Sequence, residues 1–342
     1  MRLLLIKTSS LGDVLHALPA LTEARTQLPA LECHWVVEEA YAAIPAWHPA
    51  VTRVIPVALR RWRRAPLAAF RGGQVSGFMR QLRAQRYDRV LDAQGLLKTA
   101  PVTLLARGPR VGFDRRSARE GLAAFVYDCA VPVDRRQHAV QRLRALFGGA
   151  LGYAPQAVAP DYGIDRARLP VSVADGAYLV FLHGSTWSSK LWPDAHWRAL
   201  IERAGQAGLQ VFLPWGDAVE LARAERLADG HRHARVLTPL GLPELAATLA
   251  GARAVIGVDS GPTHLATALG VPTLALYGAT DPALTGTWGG RQRRMQAPYP
   301  CAPCLRRVCR FAAQDAVHPP CYGQIDADAA WAQLSEIGRA HV

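Results

Sequence analysis

The sequence predicts an α/β protein of two domains, each a doubly wound parallel sheet, facing one another across a cleft. Three observations predict it. The chain has 342 residues, half of them hydrophobic, which is enough for two packed cores. Short apolar runs alternate with helix-patterned stretches; the alternation breaks in a proline-bearing segment, 151–176, and then restarts. Polar residues recur just beyond the apolar runs, at the strand ends where open parallel sheets bind ligands.

The first run, Leu3 to Ile6, reads as a buried strand. Val14, Leu15, Leu18 and Leu21 follow at helical spacing, so Gly12 and Asp13 sit where strand turns into helix. A carboxylate there either caps the helix or serves as an acid or base. His34–Val37 and Val51–Val57 read as the next strands. Arg60, Arg61, Arg63 and Arg64 surround Trp62, and their planar forks suit phosphates or carboxylates. Residues 75–86 carry an amphipathic helix pattern, and Val90-Leu91-Asp92 runs into Gln94, Gly95 and Lys98, which open another helix. A short strand near Val111 leads to Arg115, Arg116 and Arg119. A last one, near Val126 to Val131, leads to His138 and a helix over 139–148.

Tyr178–Leu182 restarts the alternation. The turn after it, His183-Gly184-Ser185-Thr186-Trp187-Ser188-Ser189-Lys190, combines small hydroxyls with one lysine and suits a phosphate. A helix over 194–205, a strand Val211–Leu213 and a helix containing Glu220 come next. After Val236-Leu237 and a helix over 242–250, Ala254–Val258 ends in Asp259-Ser260-Gly261-Pro262-Thr263-His264, which opens a helix over 264–269. Asp259 reads as a cap there, while Gly261 lets a phosphate approach the backbone. Thr273–Tyr277 is the last strand of the pattern. The chain carries neither a Walker A sequence nor a Gly-x-Gly-x-x-Gly after its first strand, which argues against ATPase and dehydrogenase readings.

Charge divides the chain as well. Residues 1–170 hold 25 Lys and Arg against 13 Asp and Glu, a balance of +12; residues 171–342 hold 15 against 14. The basic half suits an anionic partner, whether acidic substrate, membrane surface or nucleic acid. Only Lys7, Lys98 and Lys190 are lysine among 40 basic residues, and each lies beside a Gly-, Ser- or Thr-bearing turn. Cys301-x2-Cys304-x4-Cys309-x11-Cys321 is no secreted disulfide framework; it reads as a structural zinc site, free thiols or an occasional disulfide. No apolar run is long enough to span a bilayer and the start is too short for a signal peptide, so a cytoplasmic protein is expected.

Several of these segments together resemble the bacterial lipopolysaccharide heptosyltransferases, and among them the enzymes that add the first heptose. The likeness rests on Lys7-Thr8-Ser9-Ser10-Leu11-Gly12-Asp13-Val14-Leu15-His16, Trp35-Val36-Val37-Glu38-Glu39, Arg60-Arg61-Trp62-Arg63, Asp92-Ala93-Gln94-Gly95, Lys190-Leu191-Trp192-Pro193 and Asp259-Ser260-Gly261-Pro262-Thr263-His264. It implies the glycosyltransferase B architecture of two Rossmann-like domains, which we place at 1–165 for the acceptor and 166–324 for the nucleotide sugar. The C-terminal helix, within 325–342, would return to the first domain. The implied reaction is inverting transfer of heptose from ADP-heptose to a Kdo hydroxyl of Kdo2-lipid A, with no cofactor required. Asp13 takes the place of the general base and Lys190 that of the group beside the leaving diphosphate. Ser185, Thr186, Lys190, Glu220, Asp259, Ser260, Gly261 and His264 match donor-binding positions. Arg60, Arg61, Arg63, Lys98, Arg119 and His138 match positions near the acidic acceptor. The expected location is the cytoplasmic face of the inner membrane, whose anionic surface the basic first half favours; a monomer with no nucleic-acid partner is expected. The rival readings are addition of the second heptose, another nucleotide-sugar transfer, and a non-catalytic module that binds anionic surfaces or nucleic acid. The cysteine cluster is the departure that counts against the first-heptose subtype.

Overall fold

A computed structural model describes residues 1–172, 176–311 and 317–339. The chain divides into two compact units, Met1–Asp165 and Arg166–Val342. In the first, β1 (Arg2–Ile6), β2 (Glu32–Glu38), β3 (Val51–Val57), β4 (Arg89–Asp92), β5 (Arg110–Phe113) and β6 (Cys129–Val131) form one parallel sheet in the order β3-β2-β1-β4-β5-β6. In the second, β7 (Tyr178–Leu182), β8 (Gln210–Leu213), β9 (Ala234–Val236), β10 (Ala254–Val258), β11 (Thr273–Tyr277) and β12 (Gln292–Gln296) form another, in the order β12-β11-β10-β7-β8-β9. Numbered within its own unit, each sheet reads 3-2-1-4-5-6, the Rossmann order. Its direction of winding reverses between β1 and β4 in one sheet and between β7 and β10 in the other. Loops leaving those paired strands diverge to opposite faces and open a crevice at their carboxyl ends.

The central strands are apolar because helices cover both faces. Leu3, Leu4, Leu5 and Ile6 are fully buried, as are Val255, Ile256 and Val258. On one face of the first sheet the helices Gln74–Arg83 and Ala100–Leu105 contribute Phe78, Leu82 and Val102 to a core shared with Ile6, Val36 and Val90. Elsewhere in that unit the helices Leu18–Gln27 and Ala139–Leu151 pack together. Arg144 donates from Nε and Nη2 to the Glu23 carboxylate at 2.8 and 3.0 Å in a buried fork that joins them. Residues up to Asp165 belong to this unit: Asp165 N donates to Trp47 O at 3.0 Å.

Some elements differ from their sequence readings. The strand expected over 126–131 is shorter, β6, preceded by a 3-10 turn Gly121–Val126. Lys98 lies in a turn before its helix, which starts at Ala100. β12 was not legible at all, since Gln292-Arg293-Arg294-Met295-Gln296 is a polar edge strand. The C-terminal helix, Ala327–Arg339, contributes to the core of the second unit. Ala330, Leu334 and Ile337 join a core with Leu179, Ala254 and Leu274. Trp192 Nε1 donates to Ile325 O at 2.8 Å, and Arg293 pairs with Glu336 at 2.5 Å, which fixes the helix beside β12. Among the described residues no helix is long and apolar enough to cross a membrane.

Candidate active site

The first crevice lies beyond β1 and β4. Lys7, the first residue after β1, is buried and donates from Nζ to Ala93 O at 3.0 Å. Its ammonium stands 4.0 Å from Asp13 Oδ1. Burial pushes the Lys7 pKa down, and the Asp13 and Asp92 carboxylates only partly oppose that. Asp13 is not the N-cap; it is the third residue of the helix Leu11–Leu15 and reaches back to Ser10. Ser10 N and Oγ both donate to Asp13 Oδ2 at 2.9 and 2.7 Å, so this oxygen satisfies the N–H at the helix start. Burial would raise the Asp13 carboxyl, but the Lys7 charge and the Ser10 donors hold it below the usual carboxylate range. One oxygen therefore caps, and the other faces Lys7 in a side chain that is 35% exposed.

The turn is braced from β4. Gln94 Oε1 accepts from Thr8 N at 2.9 Å and Ser9 N at 3.1 Å. Asp92 is fully buried and accepts from Gln94 N, Gly95 N, Thr99 Oγ1 and Tyr127 OH, so it organises the backbone rather than facing a ligand. Burial raises its pKa. Lys98 Nζ donates to Ser9 Oγ at 2.5 Å. Burial and the charge of Arg60 lower the Lys98 pKa, while Glu38 and Asp13 oppose them. Asp13, Lys98, Arg60, Glu38 and Arg119 thus share one electrostatic neighbourhood.

The other predicted acceptor residues differ in their engagement. Arg60 places its guanidinium 5.6 Å from the Tyr41 ring centre. Arg61 is already held by the Glu39 carboxylate at 3.0 and 2.8 Å and by Gln74 at 2.7 Å. Arg63 and Arg119 are exposed. His138 is buried: its Nδ1 accepts from Val140 N at 3.2 Å, capping the helix Ala139–Leu151, and its ring meets His16 edge-on at 5.6 Å. Sequence reasoning passed over Lys7 and Ser10 as site residues; the rarity of lysine was the available signal for Lys7.

The second crevice lies beyond β7 and β10. Lys190 Nζ donates to Asp259 Oδ2 at 2.7 Å and lies 4.6 Å from the Trp187 ring centre. Asp259 also accepts from Thr280 Oγ1 at 2.6 Å and faces His264 Nε2 at 3.4 Å. Burial alone would raise the Asp259 carboxyl; His264 and Lys190 hold it well below the usual range. Ser260 immediately precedes the helix Gly261–Ala268, with its Oγ 3.1 Å from Thr263 Oγ1, and the helix starts at the same strand ends. Glu220 lies in the helix Ala218–Ala228 and accepts from Gly216 N at 2.8 Å. A side chain at Gly184 would collide with the Glu220 carboxylate, so the glycine keeps that acid beside the turn. Ser185 Oγ accepts from Trp187 N at 3.3 Å, and Thr186 is exposed. Thr280 and Arg223 were not foreseen. Buried Arg223 donates to Asp194, His183 O and Trp192 O, tying both ends of the turn together.

Cys301, Cys304, Cys309 and Cys321 line one small, nearly filled pocket together with Ser189 and Gly278. Burial and the three neighbouring thiols push Cys321 up to about 11. Among the described residues no three His, Cys, Asp or Glu side chains are arranged to hold a metal ion, so the zinc reading, one of three that the spacing left open, gains no support. The loop instead braces the lysine turn: Ser189 N and Ser188 Oγ donate to Arg307 O at 3.2 and 3.4 Å, and Ser189 Oγ to Arg306 O at 2.5 Å.

Two Rossmann sheets, one crevice rich in cations around an ionised carboxylate and another with a lysine, a helix amino end and a carboxylate, suit transfer between an acidic acceptor and a phosphorylated donor. The model of glycosyltransferase family 9 (heptosyltransferase) matches residues 75–314. A lipopolysaccharide heptosyltransferase 1 of Pseudomonas aeruginosa is 52% identical over 312 residues, covering 91% of this chain and 88% of that protein. The structure of the E. coli heptosyltransferase WaaC with ADP superposes with a TM-score of 0.83 at 45% identity, over 87% of this chain and 94% of that one. WaaC with ADP-2-deoxy-2-fluoro heptose gives 0.82 at 42% identity, over 98% and 99%. The two-sheet architecture is accordingly glycosyltransferase B. The chain belongs to glycosyltransferase family 9, the heptosyltransferases.

Proposed function

We propose that this enzyme transfers L-glycero-D-manno-heptose from ADP-heptose to a Kdo hydroxyl of Kdo2-lipid A, in the inner core of lipopolysaccharide. The observation that carries the reading is the pairing of two unlike crevices at equivalent switch points in a chain 52% identical to a heptosyltransferase 1. The ADP diphosphate lies along Ser185, Thr186 and Lys190 and at the amino end formed by Ser260 and Gly261. Glu220 accepts from the ribose hydroxyls, and His264 and Asp259 line the sugar side. Asp259 holds the Lys190 ammonium in place, so charge building on the leaving ADP meets a fixed cation. Arg60, Arg61, Arg63, Lys98, Arg119 and His138 surround the acidic acceptor. Arg61 exchanges Glu39 for the acceptor carboxylate, or shares it.

Asp13 takes the proton as the Kdo oxygen bonds to the anomeric carbon. The bond to the diphosphate breaks on the opposite side, which inverts configuration. The carboxylate is ionised in the free enzyme, and Lys7 keeps it so. The enzyme acts as a monomer at the cytoplasmic face of the inner membrane and needs no cofactor beyond the nucleotide sugar. Incubation with ADP-heptose and either Kdo2-lipid A or its heptosylated product tests the acceptor: transfer to the first is expected, and preference for the second would overturn the assignment. Replacing Arg60, Arg61 and Arg63 together is expected to raise the acceptor KM and leave ADP-heptose affinity unchanged.

A further inference from the structure

We propose that residues 59–83 of the first unit form a docking element for an anionic lipid bilayer, with Leu67 and Phe70 entering the zone between headgroups and acyl chains. The inference rests on the reading that the acceptor is lipid-borne, and names the surface that meets the lipid. The segment folds as three helices, Leu59–Arg64, Pro66–Arg71 and Gln74–Arg83. The outer two are fastened. Trp62 Nε1 donates to Gln74 Oε1 at 3.1 Å, and its ring meets Phe78 edge-on at 5.6 Å in the core. Arg61 bridges Glu39 and Gln74.

The middle helix is different. Only Ala69 is buried; Leu67 is 72% and Phe70 75% exposed, and both are large apolar side chains. A helix that turns its largest apolar groups to water, on a fastened base, marks a surface meant for a partner.

Charge selects the partner. Residues 59–83 contain seven arginines, Arg60, Arg61, Arg63, Arg64, Arg71, Arg80 and Arg83, and no Asp or Glu. A second copy of the same surface would set arginines against arginines, which is repulsive. Nucleic acid would accept the arginines but leave Leu67 and Phe70 in water. An anionic bilayer accepts both: phosphates pair with the arginines and the interface takes the apolar tips. The same side of the sheet extends the surface. The helix Gln74–Arg83 neighbours the helix Ala100–Leu105, which neighbours the turn Gly121–Val126, and these present Leu104, Leu122 and Phe125 at 50%, 57% and 72% exposure. The acceptor arginines 60 to 63 thus begin the element that meets the lipid, and a headgroup sugar is taken where the bilayer is held.

Co-sedimentation of the full chain with vesicles tests this. Binding is expected to phosphatidylglycerol–phosphatidylethanolamine vesicles and not to phosphatidylcholine vesicles, and to weaken in about 0.5 M NaCl. Leu67→Ser with Phe70→Ser is expected to weaken partitioning at least about tenfold, because each side chain loses part of its apolar burial. Melting temperature and ADP-heptose affinity stay unchanged, since neither side chain packs on the protein or belongs to the donor site. Wild-type binding by the double variant, or equal binding to neutral vesicles, would overturn the proposal. So would a wild-type dimer in sedimentation velocity that the double variant dissolves while vesicle binding persists. Transfer to detergent-dispersed Kdo2-lipid A is measured on the same preparations. Retained transfer with lost vesicle binding supports the docking role, whereas absent transfer by wild type counts against the acceptor assignment and leaves the vesicle result to stand alone.

Discussion

Two aspartates, one seven residues beyond β1 and the other next after β10, have opposite assignments. Asp13 gives one oxygen to Ser10 and turns the other toward Lys7 at 4.0 Å. Asp259 has its oxygens engaged by Lys190, Thr280 and His264. A base needs an oxygen that no donor already holds, and Asp13 Oδ1 meets only the Lys7 ammonium, at 4.0 Å. Asp13→Ala is expected to lower kcat by about 10²–10⁴-fold with ADP-heptose affinity intact, measured by steady-state kinetics and calorimetry. Because the Asp13 pKa lies below the ordinary range, its loss of ionisation should not appear in the rate above about pH 4. Asp259→Asn leaves Lys190 unanchored in a largely buried site and should destabilise the fold at neutral pH. Its folded pKa is depressed, so its ionic contribution is fully present above the unfolded value near 3.9 and is lost as pH falls through the folded value. The difference in melting temperature between wild type and Asp259→Asn should therefore shrink below about pH 4 in a calorimetric pH series.

At the scale of elements, each site hangs from a pair of neighbouring strands rather than from one loop. Gln94 beyond β4 holds Thr8 and Ser9 beyond β1, and Asp259 beyond β10 holds Lys190 beyond β7. Gly184 is the close approach that lets the Ala218–Ala228 helix bring Glu220 to the turn. Gly184→Val should displace that carboxylate and raise the KM for ADP-heptose severalfold or more, with acceptor KM unchanged; equal effects on both would refute the placement. The turn-forming residues themselves were legible, because hydroxyls, glycine and a lone lysine after an apolar run have few other uses. Their partners were not. Thr280 and Arg223 lie 21 and 33 residues from Asp259 and Lys190 in sequence, and nothing in local pattern links them. β12 escaped for a related reason: an edge strand needs only one neighbour, and of its five residues only Met295 is apolar and packs on the core.

Across the whole molecule, the same strand order occurs twice and each unit carries its own core and its own crevice. The C-terminal helix completes the second unit. Leu334 is 2% exposed within that core, so Leu334→Ala should cost about 2–5 kcal/mol, read as a lower denaturant midpoint. The basic excess of the first half follows the unit boundary closely, and the docking segment 59–83 concentrates it where acids are absent. Periodicity, charge asymmetry and the turn compositions determined the fold class, the two-domain plan and the chemistry of each strand end, because these are local properties of residue type and spacing. Only the tertiary structure decided which oxygen of Asp13 stays available, which cation Asp259 holds, and where the last helix packs. It also decided that the four cysteines line one pocket, and that Leu67 and Phe70 face solvent. Those outcomes depend on distances between residues far apart in the chain, which sequence spacing does not encode.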